Sequence, residues 1–156
     1  MKRERPHPKP SLTSVNTDAV IQWHHEANVQ LRTTFLARCG GLLTTEEVAR
    51  LLPSGEDGLP PDPEALERAL ALFSVAFDGA KGYPAMQFDA ETGAPHAALR
   101  PIIAALSRDY AGWALAVWWV SANAWLDGRC PLDYWPNASA QVVRAAEAER
   151  ATMADD

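Results

Sequence analysis

Apolar positions recur along this chain mainly at helical spacing, with one short stretch of extended character. From about Asn16 to Cys39, Ala19, Val20, Trp23, Ala27, Leu31, Phe35 and Leu36 fall on one helical face, and Gly40 with Gly41 closes it. Trp23 is expected in the core. Thr44 followed by Glu47 forms a capping box, and Val48, Leu51 and Leu52 face inward until Pro53 ends that helix. Another helix starts at Asp62 and Pro63, and residues 72–77 and 83–88 read as a hairpin turning at Asp78 and Gly79. Between Arg100 and Val120, Ile102, Ile103, Leu106, Tyr110, Trp113, Val117 and Val120 step by three or four. Ser107 to Asp109 breaks this run into two antiparallel helices. Gly128 suits a left-handed reversal and Pro131 opens the next turn. A last helix from about Ser139 to Met153 carries Val142, Val143, Ala145 and Ala146 inside, with Arg144, Glu147, Glu149 and Arg150 outside. Short of large apolar groups, it is expected to dock weakly.

At 156 residues and 47% hydrophobic, the chain is long enough to bury a core as one domain or two small ones. No run approaches the roughly 18 apolar residues of a membrane span, and MKRERPHPKP lacks the apolar segment of a signal peptide. A soluble, cytoplasmic protein without a membrane partner is expected. Cys39 and Cys130 lie far apart without metal-ligand spacing, which suggests free thiols in a reducing compartment. Residues 1–13 combine Lys2, Arg3, Arg5 and Lys9 with Pro6, Pro8 and Pro10, the composition of a disordered basic tail.

The catalytic inventory is thin. His24 and His25 are adjacent, so on a helix they diverge by about 100° and cannot chelate one metal. His7 falls in the tail and His96 in a loop. Glu46, Glu47, Glu147 and Glu149 read as solvated helix-surface charges. Phosphate loop, nucleophile elbow and paired-cysteine zinc patterns are all missing from the sequence. No catalytic residue, metal or cofactor is therefore expected, and the chain is not expected to be an enzyme.

The densest feature is WALAVWWVSANAWLDGRCPLDYW, which concentrates five of the six tryptophans between Trp113 and Trp135. Such density suits either a core or a surface gripping another protein, because indole combines large apolar area with a polar tip. Within it, Trp119, Asn123, Leu126, Gly128, Pro131, Leu132 and Asp133 resemble the signature of the Xre/MbcA/ParS toxin-binding domain, over roughly residues 97–152. The YPAMQFD segment, Tyr83 to Asp89, is similar to the element that often precedes this domain after a helix-turn-helix. Ala122 stands where the family usually has Pro, and Asp127 where Gly is common.

This resemblance implies an antitoxin that neutralises a RES-domain toxin, a class that consumes NAD or transfers ADP-ribose from it. The toxin-binding surface is expected to combine the signature residues Trp119, Asn123, Leu126, Gly128, Pro131, Leu132 and Asp133 with Trp125, Arg129 and Trp135 in the same corner and Arg144 on the last helix. The segment Ala151–Asp156 is expected to approach the NAD cleft, where Asp155 and Asp156 suit the basic groups of a pyrophosphate pocket. Self-association is left open.

Residues 45–52 and 63–71 resemble a helix-turn-helix, although Pro53 to Pro61 is too long for a tight turn. From Gly40 to Glu91 the basic residues Arg50, Arg68 and Lys81 face ten acidic ones, a balance that repels a duplex. Arg68 is the one basic group in the recognition slot. DNA binding is therefore expected to be weak, with a transcriptional regulator, acting alone or with the toxin, as the alternative function. The expected fold is mostly α. A basic tail (1–13) leads to an N-terminal helix and degenerate helix-turn-helix with a small β-hairpin (14–92), then a C-terminal helical toxin-binding domain (93–156).

Overall fold

The computed structural model describes residues 17–154, apart from the side chains at 17 and 20–24. The positions expected for Trp23, the 1–13 tail, Asp155 and Asp156 lie outside what is described. Helix α1 spans Thr17–Arg38, strand β1 Leu42–Leu43, α2 Thr45–Leu51, α3 Pro63–Arg68, β2 Val75–Phe77 and β3 Ala80–Pro84. Helices α4 (Leu99–Leu106), α5 (Trp113–Val120) and α6 (Ser139–Ala154) follow, with 3-10 turns at Ala85–Gln87, Ala124–Leu126 and Pro131–Tyr134. The chain is mostly α, with one small antiparallel sheet.

Local chemistry fixes several boundaries. Both halves of the capping box form: the Glu47 amide donates to the Thr44 hydroxyl at 3.1 Å, and the Thr44 amide to the Glu47 carboxylate at 3.3 Å. Asp62 caps α3 by accepting from the Glu64 amide at 3.0 Å. That helix stops at Arg68 instead of residue 71, because Leu70 turns left-handed (φ 61°) and the Ala71 amide bonds back to the Leu66 carbonyl.

The hairpin also corrects the sequence reading. Asp78 (φ 49°) and Gly79 (φ 77°) form a two-residue turn, so the returning strand must begin at Ala80 and not at Tyr83. Phe77 pairs with Ala80 and Val75 with Gly82. Residues 85–87, expected in the strand, form a 3-10 turn. Strand β1, which was not expected, pairs Leu42 with Pro84 and Leu43 with Tyr83, giving the order β1-β3-β2.

Glu67 ties α3 to this sheet by accepting from Ser74 Oγ at 2.5 Å, Lys81 Nζ at 3.1 Å and Tyr83 Oη at 3.0 Å. Burial acts to raise its carboxyl, but the three hydrogen bonds outweigh that and hold it below the ordinary range.

Two apolar clusters result. The smaller gathers Val48, Leu52, Leu72, Tyr83 and Phe88 within the 42–88 segment. The larger draws Phe35 and Cys39 from α1, Phe73 and Val75 beside the sheet, and residues from α4, α5 and α6. It includes residues on both sides of positions 92 and 93. On α6, Val142 and Ala146 are fully buried and Ala145 nearly so. Alanine keeps the side-chain layer thin, so the α6 backbone can approach α4 closely. No helix among the described residues is long and apolar enough to cross a membrane.

Candidate protein-binding site

The corner after α5 is built around Asn123. Its side-chain oxygen accepts from the Trp125 amide at 2.9 Å, starting the 3-10 turn. Its carbonyl receives the amides of Leu126 (3.1 Å) and Gly128 (3.0 Å), while its own amide donates to the Arg129 carbonyl at 3.0 Å. The loop thus closes on one buried residue. Gly128 sits at φ 78°, the left-handed reversal expected of it, and Asp127 before it is also left-handed at φ 56°. That geometry gives a physical reason for glycine to suit position 127.

A second lock follows. The Cys130 amide donates to Asp133 Oδ2 at 3.2 Å. Arg38, at the end of α1, donates to Asp133 Oδ1 at 2.8 Å and to Cys130 Sγ at 3.1 Å. The Arg38 hydrogen bond is the main cause that lowers the Asp133 carboxyl, and the same contact raises the Arg38 guanidinium. Tyr134 Oη reaches back to the Leu126 carbonyl at 3.3 Å.

These contacts separate the expected site residues by accessibility. Trp119 is fully buried, with its ring edge-on to Trp118 at 5.5 Å and to Trp135 at 5.0 Å. Asn123, Leu126, Pro131 and Leu132 are buried too, so they shape the corner from within. Asp133 is exposed but already engaged by Arg38. Trp135 is half-buried: its Nε1 donates to the Met86 carbonyl at 2.9 Å and its ring meets His96 edge-on at 5.3 Å. It braces the corner against the 85–87 turn. Trp113 is similarly anchored, donating to the Ala76 carbonyl at 2.8 Å under the Arg32 guanidinium.

Trp125 differs from the other described tryptophans, with 47% of its surface exposed. Arg129, Gly128 and Arg144 are exposed as well. Trp125 stands between two hollows. One, of about 280 Å³, is lined by Trp125, Leu126 and the Gln141, Arg144, Ala145 and Ala148 face of α6. The other, of about 340 Å³, runs along α5 past Tyr110, Val117, Trp118 and Ser121 to Glu149.

Glu149 corrects the sequence reading as a solvated charge. It is half-buried, with Oε1 accepting from Tyr110 Oη at 2.9 Å and Oε2 from Trp118 Nε1. Burial, followed by the Glu149 contact, pushes the Tyr110 hydroxyl up to about 12. A signal was present: Val142, Ala145, Ala146 and Glu149 stand at i, i+3, i+4 and i+7, which places the carboxylate on the inward stripe.

The YPAMQFD segment packs inward: Tyr83, Pro84, Gln87 and Phe88 are all buried. The Gln87 amide donates to the Phe73 carbonyl at 2.9 Å and accepts from the Phe73 amide at 2.8 Å, standing in for a strand neighbour. In the helix-turn-helix-like segment, α2 and α3 are joined by residues 52–62. Arg68 leans toward Asp62 at 3.8 Å, and Lys81 lies between Glu64 (3.9 Å) and Glu67 (3.1 Å). Comparison with protein-family models, curated proteins and solved structures gave no match.

Proposed function

We propose that this protein is the antitoxin of a type II toxin–antitoxin system, binding and neutralising a RES-domain toxin by occluding its active site. The single observation that supports this best is Trp125. A large aromatic group left 47% exposed between two hollows, on a loop braced by Asn123 and Arg38, suits an interface anchor. It also falls inside the run of residues that resembles the toxin-binding signature. Arg129 and Arg144 supply polar contacts beside it, and α6 carries the C-terminal segment toward the partner's NAD cleft.

The transcriptional-regulator alternative is less favoured. Both basic groups at the α3 and hairpin surface sit beside carboxylates, which weakens their hold on phosphates. The test is co-expression with a RES-domain toxin encoded beside this chain. Growth is restored and the two proteins co-purify; growth arrest despite abundant soluble antitoxin refutes the assignment.

A further inference from the structure

We infer that the hollow ending at Glu149 is a receptor for an arginine side chain of the bound partner. The inference rests on reading this corner as a protein-binding surface and names the chemistry that fills one side of it. Glu149 lines this hollow, and its carboxylate accepts from two neutral donors, Tyr110 and Trp118, each on a different oxygen. No lysine or arginine among the described residues lies within ion-pair distance of it, so none of the described cations pairs with it. Each carboxylate oxygen keeps acceptor capacity beyond the one bond it makes.

Val117, Trp118 and Trp125 give the hollow apolar and aromatic lining, and Ser121 and Asn123 add polar groups. Indole side chains beside a carboxylate suit guanidinium, which is planar, weakly hydrated, packs against aromatic groups and pairs with carboxylates through its fork. A volume of about 340 Å³ admits such a side chain. Lysine suits the site less, because its ammonium is compact and strongly hydrated.

The experiment titrates the full chain with N-acetyl-arginine methylamide and follows the Trp125 indole N–H signal by NMR. The matched lysine and citrulline amides serve as comparisons. Saturable arginine shifts are expected, weaker ones from lysine and none from neutral citrulline. Glu149→Gln keeps one acceptor oxygen and removes the charge. It weakens arginine binding at least about tenfold, as loss of a charge-assisted pair requires.

Because Glu149→Gln also touches Tyr110 and Trp118, a second variant, Ala122→Arg, places a competing cation at the exposed rim and leaves those hydrogen bonds alone. It too lowers arginine affinity. Equal shifts from citrulline, or arginine binding unchanged in both variants, overturn the inference. If growth rescue by the wild-type chain succeeds while arginine fails to bind, the receptor is refuted and the antitoxin reading stands. If arginine binds but no toxin is neutralised, the reverse holds.

Discussion

Replacing Trp125 and Trp135 separately by alanine distinguishes an anchor from a brace. Trp135→Ala removes a hydrogen bond to the Met86 carbonyl, worth about 1 kcal/mol. It removes an edge-on contact with Trp119, worth about 1 kcal/mol beyond area. Burial of part of the indole adds roughly 1 to 2 kcal/mol. The total, about 3 to 4 kcal/mol, lies within the ~3 to 5 kcal/mol measured for large aromatic truncations in cores. For a chain of this size that lowers the melting midpoint by roughly 6 to 16 °C, at about 2 to 4 °C per kcal/mol. Trp125→Ala truncates a residue that is 47% exposed, so stability changes by no more than about 1 kcal/mol. Its effect falls on the complex, where an anchor truncation costs about 2 kcal/mol, or roughly thirtyfold in affinity. Urea unfolding of each variant and calorimetric titration against the toxin measure both quantities. Unfolding midpoints equal to wild type for Trp135→Ala refute the bracing role, and undiminished toxin affinity for a stably folded Trp125→Ala refutes the anchor.

Gly128→Ala forces a β-carbon into φ 78° and lowers stability by about 1 to 2 kcal/mol, read by urea unfolding; a neutral effect means the loop rearranges freely. The Glu67 carboxyl is lowered in the folded chain, so its stabilisation is present above the unfolded value of about 4.3 and is lost as pH falls through the lower folded value. Glu67→Gln accordingly costs about 2 kcal/mol near neutrality and flattens the acid limb below about pH 4, whereas an unchanged pH profile contradicts its hydrogen-bonding account. At physiological salt the isolated chain shows little affinity for its own promoter duplex by fluorescence anisotropy, since segment 40–91 carries three basic against ten acidic residues. A salt-resistant, sequence-specific shift refutes that and promotes the regulator. Deleting residues 151–156 leaves the toxin complex intact while the bound toxin's NAD turnover partly returns; full inhibition by the shortened chain places the blocking element elsewhere.

Where a signal in this sequence is local, it survives into the fold. The Thr44–Glu47 capping box, the Asp78–Gly79 turn, the break after α4 and the Gly128 reversal each depend on residues within a few positions of one another. What escaped detection depends on distant partners. Two apolar residues at Leu42 and Leu43 carry no strand period of their own, and only pairing with Pro84 and Tyr83 makes them β1. Asp133 reads as an exposed contact residue until the end of α1 brings Arg38 to it, ninety-five positions away in sequence. Trp135 reads as equivalent to Trp125 until the 85–87 turn offers the Met86 carbonyl. Glu149 is the instructive intermediate, because the i, i+3, i+4, i+7 stripe puts it inside, yet its charge argues for outside. Tyr110 and Trp118 settle the conflict by donating to both oxygens. A carboxylate drawn onto an apolar stripe loses hydration, and the two donors offset part of that cost. Its position in the lining of the hollow that Trp125, the most exposed of the described tryptophans, also lines is what would connect the internal packing of α6 to the proposed recognition at the surface.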